Sequence, residues 1–240
     1  MIGIFSFFVI KLIKESKFMK AILLGSIGTV ADTSHMQLAA FNQAFKIHDL
    51  SWIWSPDEYS KMLKVSGGAN RIQQYANSLG EEVNAVQIHL TKTQIFQSTL
   101  SSEGVSLRQG ISAVLDYALT NSIMLGFVTT TTPGNVTEIL KAADLDPKIF
   151  DVITTTDVVN KPKPHPDAYN TALNKLGLLP NQAIAVEDNL DGYNAAIKAK
   201  LKCVAFPSSM QHGEAFAQIT QITSDVAQSV IDAVEHRIAV

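Results

Sequence analysis

A chain of 240 residues, 46% hydrophobic and 17% charged, is long enough to bury a full core as one domain or as one domain with a lesser companion. A formal net charge of −3 gives no electrostatic reason to expect nucleic acid or an anionic membrane as a partner. The single cysteine, Cys203, excludes an internal disulfide and suits a reducing compartment, which points to the cytoplasm.

Residues 1–18 open with the apolar run Met1 to Ile10, followed by Lys11, Lys14 and Lys17. A secretory signal carries its positive charge before the apolar part, and a membrane span needs about 20 apolar residues. The segment meets neither condition and reads as an N-terminal extension, with Met19 as an alternative start. Next, Ala21-Ile22-Leu23-Leu24 is a short apolar run stopped by Gly25, the pattern of a buried strand that hands its C-terminal end to a loop, Gly25 to Thr33. In an open α/β sheet that end is where ligands bind. Gly25 and Gly28 allow a tight turn that aims backbone N–H groups at an anion.

From Ser34 to about Ser101 the pattern is helical. Met36, Ala40, Phe41, Ala44 and Phe45 mark a first helix, and Ser55-Pro56-Asp57-Glu58 is a capping box that starts a second. A glycine loop, Ser66 to Arg71, opens a third helix, and Glu81 to Leu100 reads as a long fourth. Strand and helix then alternate, with strands expected at Ile123–Val128, Phe150–Thr154, Ala183–Val186 and Cys203–Phe206. Between and after them come helices at Gly110–Thr120, Pro133–Ala143, His165–Leu176, Leu190–Lys200 and Ser224–Ile238. Such alternation predicts an α/β fold with a doubly wound parallel sheet covered on both faces. The helical block becomes an inserted cap on two hinges, near Ala31–Ser34 and Glu103–Arg108. The expected division is an extension over 1–18, an α/β core over 19–33 and 104–240, and a helical cap over 34–103.

Polar residues stand at four strand ends: Gly25–Thr29, Thr129–Thr132, Lys161–Lys163 and Glu187-Asp188. The ordered set comprises Gly28-Thr29 with Asp32-Thr33, Thr130 before Pro133, Lys163-Pro164-His165-Pro166-Asp167, and Glu187-Asp188-Asn189 with Gly192. With Gly67-Gly68 and Arg71 in the cap, it resembles the haloacid dehalogenase-like (HAD) hydrolases. Within them it is similar to the β-phosphoglucomutase and sugar-phosphate phosphatase branch. The resemblance implies that Gly28, Thr29, Thr130 and Lys163 hold a phosphate and that Arg71 reaches the substrate from the cap. It also implies that Asp188 and Glu187 are placed for Mg²⁺. The Pro-His-Pro-Asp register favours Lys163 over Lys161, and Lys163 is the expected partner of the strand-end acids.

The departures from that pattern set the functional expectation. The family places two aspartates, nucleophile and acid/base, where this chain has Gly25 and Ile27. Positions that often carry Glu, His and Lys in the branch are here Ser34, Gln37 and Ala69. Neither glycine nor isoleucine can form an aspartyl-phosphate or shuttle a proton. Hydrolysis of a phosphate monoester needs up to roughly 10²¹-fold acceleration. The expectation is therefore a homologue impaired as a phosphatase, which binds phosphate or a phosphorylated metabolite with weak or absent Mg²⁺. The alternative is an active phosphatase or phosphomutase that acts on a small sugar phosphate by a non-standard mechanism. A nicotinamide-binding reading fails on spacing, since Gly25-Ser26-Ile27-Gly28 lacks G-x-G-x-x-G.

Overall fold

The computed structural model describes residues 19–25, 27–63, 67–210, 216, 219 and 222–235; the expected extension over 1–18 lies outside them. Five strands form one parallel sheet: β1 (Ala21–Leu24), β2 (Met124–Val128), β3 (Val152–Thr154), β4 (Ala183–Glu187) and β5 (Lys202–Ala205), in the order β3-β2-β1-β4-β5. In the central register Leu24 lies between Phe127 and Val186. Every residue of β1 and β4 is buried, which is why these strands are runs of apolar residues rather than alternating ones. The chain first builds β2 and β3 on one side of β1 and then crosses to place β4 on the other. The crevice expected of a doubly wound sheet thus lies past the carboxyl ends of β1 and β4, where the winding reverses.

The first-motif loop contains a helical turn, α1 (Ile27–Val30). The cap follows as α2 (Ser34–Ile47), α3 (Pro56–Met62), α4 (Gly68–Leu79) and α5 (Ala85–Glu103). The remaining helices are α6 (Ile111–Thr120), α7 (Pro133–Ala142), α8 (Asp167–Leu176), α9 (Leu190–Lys198) and α10 (Val226–Val234). On one face of the sheet, α8 and α9 bring Ala168, Ala172, Ala195 and Ala196 against Ala21, Leu23, Ala183 and Ala185. These small side chains let helix and strand approach closely. The other face is covered by α6, α7 and α10 through residues such as Val114, Ile139 and Val230.

Several expected boundaries move for local reasons. The long cap helix begins at Ala85 rather than Glu81, because Gly80 closes α4 in a left-handed conformation and the Asn84 side chain caps Gln87 N–H. The helix expected from His165 begins at Asp167, after Pro164 and Pro166. The strand expected from Phe150 is paired only from Val152. At the chain's end, α10 covers Val226–Val234 and residues 236–240 lie outside the described set.

The cap has its own aromatic centre, with Phe41 and Phe45 of α2 against Trp54 at 4.9 and 4.7 Å between ring centroids. Phe96 and Leu100 of α5 belong instead to the core cluster, so that helix is shared by both bodies. Both hinges are fastened to the loop after β5. Asp32 accepts from Ser209 N–H at 2.7 Å, and Arg108 donates to the carbonyls of Phe206 and Pro207 at 2.8 and 2.5 Å. The same loop then reaches the cap, where Met210 is buried among its side chains and its carbonyl accepts from the Ser60 hydroxyl. Met210→Ala is expected to lower stability by about 2–5 kcal/mol and to speed amide exchange in α3. Exchange unchanged in α3 would show that Met210 does not pin the cap.

Candidate functional site

The centre of the site is a lysine that joins three strand ends. Lys163 Nζ donates to the Gly25 carbonyl, to the Val128 carbonyl at 2.8 Å and to Glu187 Oε1 at 2.5 Å. Those acceptors belong to the ends of β1, β2 and β4, and they engage all three protons of the ammonium group. Tyr169 of α8 donates its hydroxyl to the same Glu187 oxygen at 2.6 Å. Burial raises the Glu187 carboxyl above the usual range and Asp188 adds to the effect, while Lys163 opposes it. Burial, with the Glu187 charge next, raises the Tyr169 phenol as well.

The position of the Glu187 carboxyl explains two glycines. It lies between Gly25 and Gly192, and a Cβ on either would overlap it. A Cβ on Gly28 would likewise overlap the Asp188 carboxyl. The acids at the end of β4 therefore occupy the space that side chains at positions 25 and 28 would need.

Asp188 accepts from the Thr29 hydroxyl at 3.2 Å and from the Asn189 amide at 3.1 Å, both on Oδ1. Arg108 donates to the Gly28 carbonyl at 3.0 Å and lies over the Phe206 ring, 3.4 Å from its centroid. Burial lowers the Arg108 pKa, and the charges of Asp188 and Asp32 oppose that. Burial would raise Asp32, but hydrogen bonds from Ser209 and Ser34 outweigh it and hold the carboxyl below its ordinary value. Asp32 is thus a hinge fastener.

A crevice of about 250 Å³ separates this surface from the cap. Gly28, Thr129, Asp188, Asn189 and Ser208 line its core side, and Ser34, Gln37, Tyr59 and Arg71 line its cap side. Arg71 donates through Nε to the Met62 carbonyl at 3.1 Å and lies over the rings of Tyr59 and Phe41. Burial pushes the Tyr59 phenol up to about 12. A larger groove of about 600 Å³ runs beside α7 and β3, but its lining includes none of the polar residues at the ends of β1 and β4.

The expected site residues separate into two groups. Gly28, Arg71 and Asp188 face the crevice. Lys163 and Glu187 are instead engaged with each other in the core, and the Thr29 hydroxyl is directed to Val186 O and Asp188. Thr129 lines the crevice, and Thr130, the residue expected there, is its half-buried neighbour. His165 lies 3.8 Å from Asp167 at the start of α8. Sequence reasoning missed Ser208, Gln37 as a crevice residue, and Lys92. The signal for Lys92 was available, because it interrupts the buried stripe Ile88, Phe96 and Leu100 at four-residue spacing.

Mg²⁺, the ion that the sequence resemblance implies, prefers octahedral oxygen ligands. The donors present here do not fit it well. Asp188 offers one carboxylate whose Oδ1 already accepts two hydrogen bonds, and Glu187 is turned inward. Among the described residues no three His, Cys, Asp or Glu side chains gather as a metal cluster.

Comparison with known proteins shows what this geometry belongs to. The family model of haloacid dehalogenase-like hydrolases matches residues 28–206. The chain is 32% identical to protein CbbY of Rhodobacter capsulatus over 221 residues, 90% of this chain and 97% of that one. The crystal structure of CbbY from Rhodobacter sphaeroides in complex with phosphate matches with a TM-score of 0.77 and 32% identity, over 88% of this chain and 96% of that one. A mutant of that protein in complex with xylulose-(1,5)-bisphosphate matches equally.

The lysine at the strand ends makes a pH-dependent prediction. Lys163→Met would leave Glu187 buried without its cation, at a cost of about 3–5 kcal/mol. A carboxyl whose pKa is raised on folding binds its proton more tightly in the native state, so its contribution falls as pH rises. The variant is expected to lose more stability at pH 8 than at pH 5.5 in urea unfolding. Equal losses would remove Glu187 as the cause.

Proposed function

Because the chain belongs to the haloacid dehalogenase-like hydrolase family, we propose that its crevice binds a phosphate group or phosphorylated metabolite while phosphatase turnover is impaired. The observation that carries this reading is the filling of the nucleophile's place. Position 25 is glycine, and the Glu187 carboxyl, paired with Lys163, occupies the space where an aspartate would begin. Ile27 stands at the second working position and cannot act as acid or base. What is left is a binding surface: Gly28, Thr129, Asn189 and Ser208 below, and Arg71 above, with the half-buried Thr130 next to Thr129 in the chain. In this arrangement Thr29 and Lys163 support the phosphate site from behind. The complexes of the Rhodobacter sphaeroides relative with phosphate and with xylulose-(1,5)-bisphosphate support a phosphorylated small molecule as the ligand.

Charge supports binding without a divalent ion. A site with two further aspartates would need Mg²⁺ to offset them before a dianion entered, whereas Gly25 and Ile27 bring no charge. Glu187 is matched by Lys163, which leaves Asp188 as the acid at the crevice. Weak Mg²⁺ binding follows from the same count. The protein is proposed to act in the cytoplasm on small molecules rather than nucleic acid. No helix among the described residues is long and apolar enough to cross a membrane. The core and cap are proposed to divide at 19–33 with 104–240 and at 34–103.

Calorimetric titration with inorganic phosphate tests the reading. Binding is expected to survive EDTA and to weaken at least tenfold in Arg71→Ala, since hydrogen bonds between charged groups contribute on the order of 1.5–3 kcal/mol. A panel of sugar phosphates with Mg²⁺ is expected to show no turnover above background. Sustained hydrolysis abolished by changes at Thr130 or Asp188 would establish the alternative, an active phosphatase with a non-standard mechanism.

A further inference from the structure

Lys92 has no place in the chemistry above, and its surroundings are unusual for a lysine. It is buried in the cap with its ammonium group over the faces of Phe41 and Phe96, 4.8 and 4.9 Å from their centroids. Among the described residues its one hydrogen bond goes to Gln37 Oε1. No carboxylate pairs with it among the described residues. The charged or titratable groups around it are Arg71 from α4 and His89 from its own helix, both also against the Phe41 ring. From α2 come the neutral Gln37 and Phe41, and Tyr59 of α3 lies under Arg71.

Gln37 is the link to the crevice, because it lines the cap side of it. An amide has a carbonyl end and an NH₂ end on opposite sides, and a protonated lysine can only donate. Lys92 therefore fixes the carbonyl end inward, which turns the NH₂ group away from Lys92. That NH₂ group has no hydrogen-bond partner among the described residues. We infer that Lys92 is a positioning residue for this site, holding the Gln37 amide as a hydrogen-bond donor toward an anion in the crevice. The inference rests on the anion-binding reading of the crevice and adds to it a proton.

Burial, with the Arg71 charge second, pushes Lys92 down to about 7. Burial, with the charges of Lys92 and Arg71 behind it, holds His89 below its ordinary value. A neutral Lys92 amine can accept a hydrogen bond as well as donate one. The amide is then free to turn its oxygen to the crevice, where it opposes an anion. Conversely, an anion on Gln37 and Arg71 favours the protonated lysine, so binding takes up a proton. Affinity falls as pH rises through 7.

Sulfate is the probe, because its charge does not change between pH 6 and 8. Calorimetric titration of the wild type is expected to show about tenfold weaker binding at pH 8 than at pH 6, the factor for one proton linked to a group titrating near 7. Proton uptake is expected when two buffers of different ionisation enthalpy are compared. Lys92→Arg, which donates at every pH, is expected to keep the pH 6 affinity and lose the pH dependence. Lys92→Met is expected to bind weakly at both pH values, and Gln37→Leu guards against a folding defect in that variant by testing the same link from the other side. A flat wild-type profile, or a wild-type profile retained in Lys92→Met or Gln37→Leu, overturns the role of Lys92. Absence of sulfate binding to the wild type at pH 6 overturns the crevice reading itself.

Discussion

A buried ion pair holds the functional end of this molecule together. Lys163 and Glu187 lie 2.5 Å apart in the interior, where neither charge is tolerable alone. Their remaining hydrogen-bonding capacity is met by the carbonyls of Gly25 and Val128 and by the Tyr169 hydroxyl, except for Glu187 Oε2, which has no hydrogen-bond partner among the described residues. One ammonium group thereby fixes the carboxyl ends of three adjacent strands. The loops that leave those ends form the floor of the crevice, so its shape follows from this contact.

The same contact explains why the first motif has its present residues. A carboxyl group folded into the sheet needs room, and Gly25 and Gly192 supply it by having no Cβ. An aspartate at position 25 would meet Glu187 both sterically and as a like charge. Glycine at position 25 and the inward direction of the Glu187 carboxyl are thus two aspects of one packing arrangement. The cap has a comparable dependence at Gly68, where a Cβ would overlap the imidazole of His89. That glycine lets α4 start beside α5 and carries Arg71 to the crevice.

The cap is held over the crevice by more than its two hinges. The loop after β5 receives Arg108, donates to Asp32, lines the crevice with Ser208 and buries Met210 in the cap. This loop therefore ties the core to the cap beside the crevice.

The sequence by itself determined the parallel sheet, the inserted cap and the end of the sheet that carries the site. Those follow from local rules: apolar runs too short for helices, capping boxes, and glycines after strands, as at Ala21–Gly25 and Ser55–Glu58. It also determined that positions 25 and 27 bring no carboxyl group, because that is a matter of residue type. The tertiary structure decided which polar residues face the ligand. Lys163, Thr29 and Glu187 stood in motif positions, yet all three are directed into the core, while Gln37, Thr129 and Ser208 line the crevice. Side-chain direction at a strand end depends on partners distant in sequence, such as Glu187 lying 24 residues from Lys163. Lys92 is the clearest case, since its break in an apolar stripe was visible in the chain. Its meaning came only when α2, α4 and α5 packed together and left a buried ammonium group beside Gln37 with no acid among the described residues to meet it.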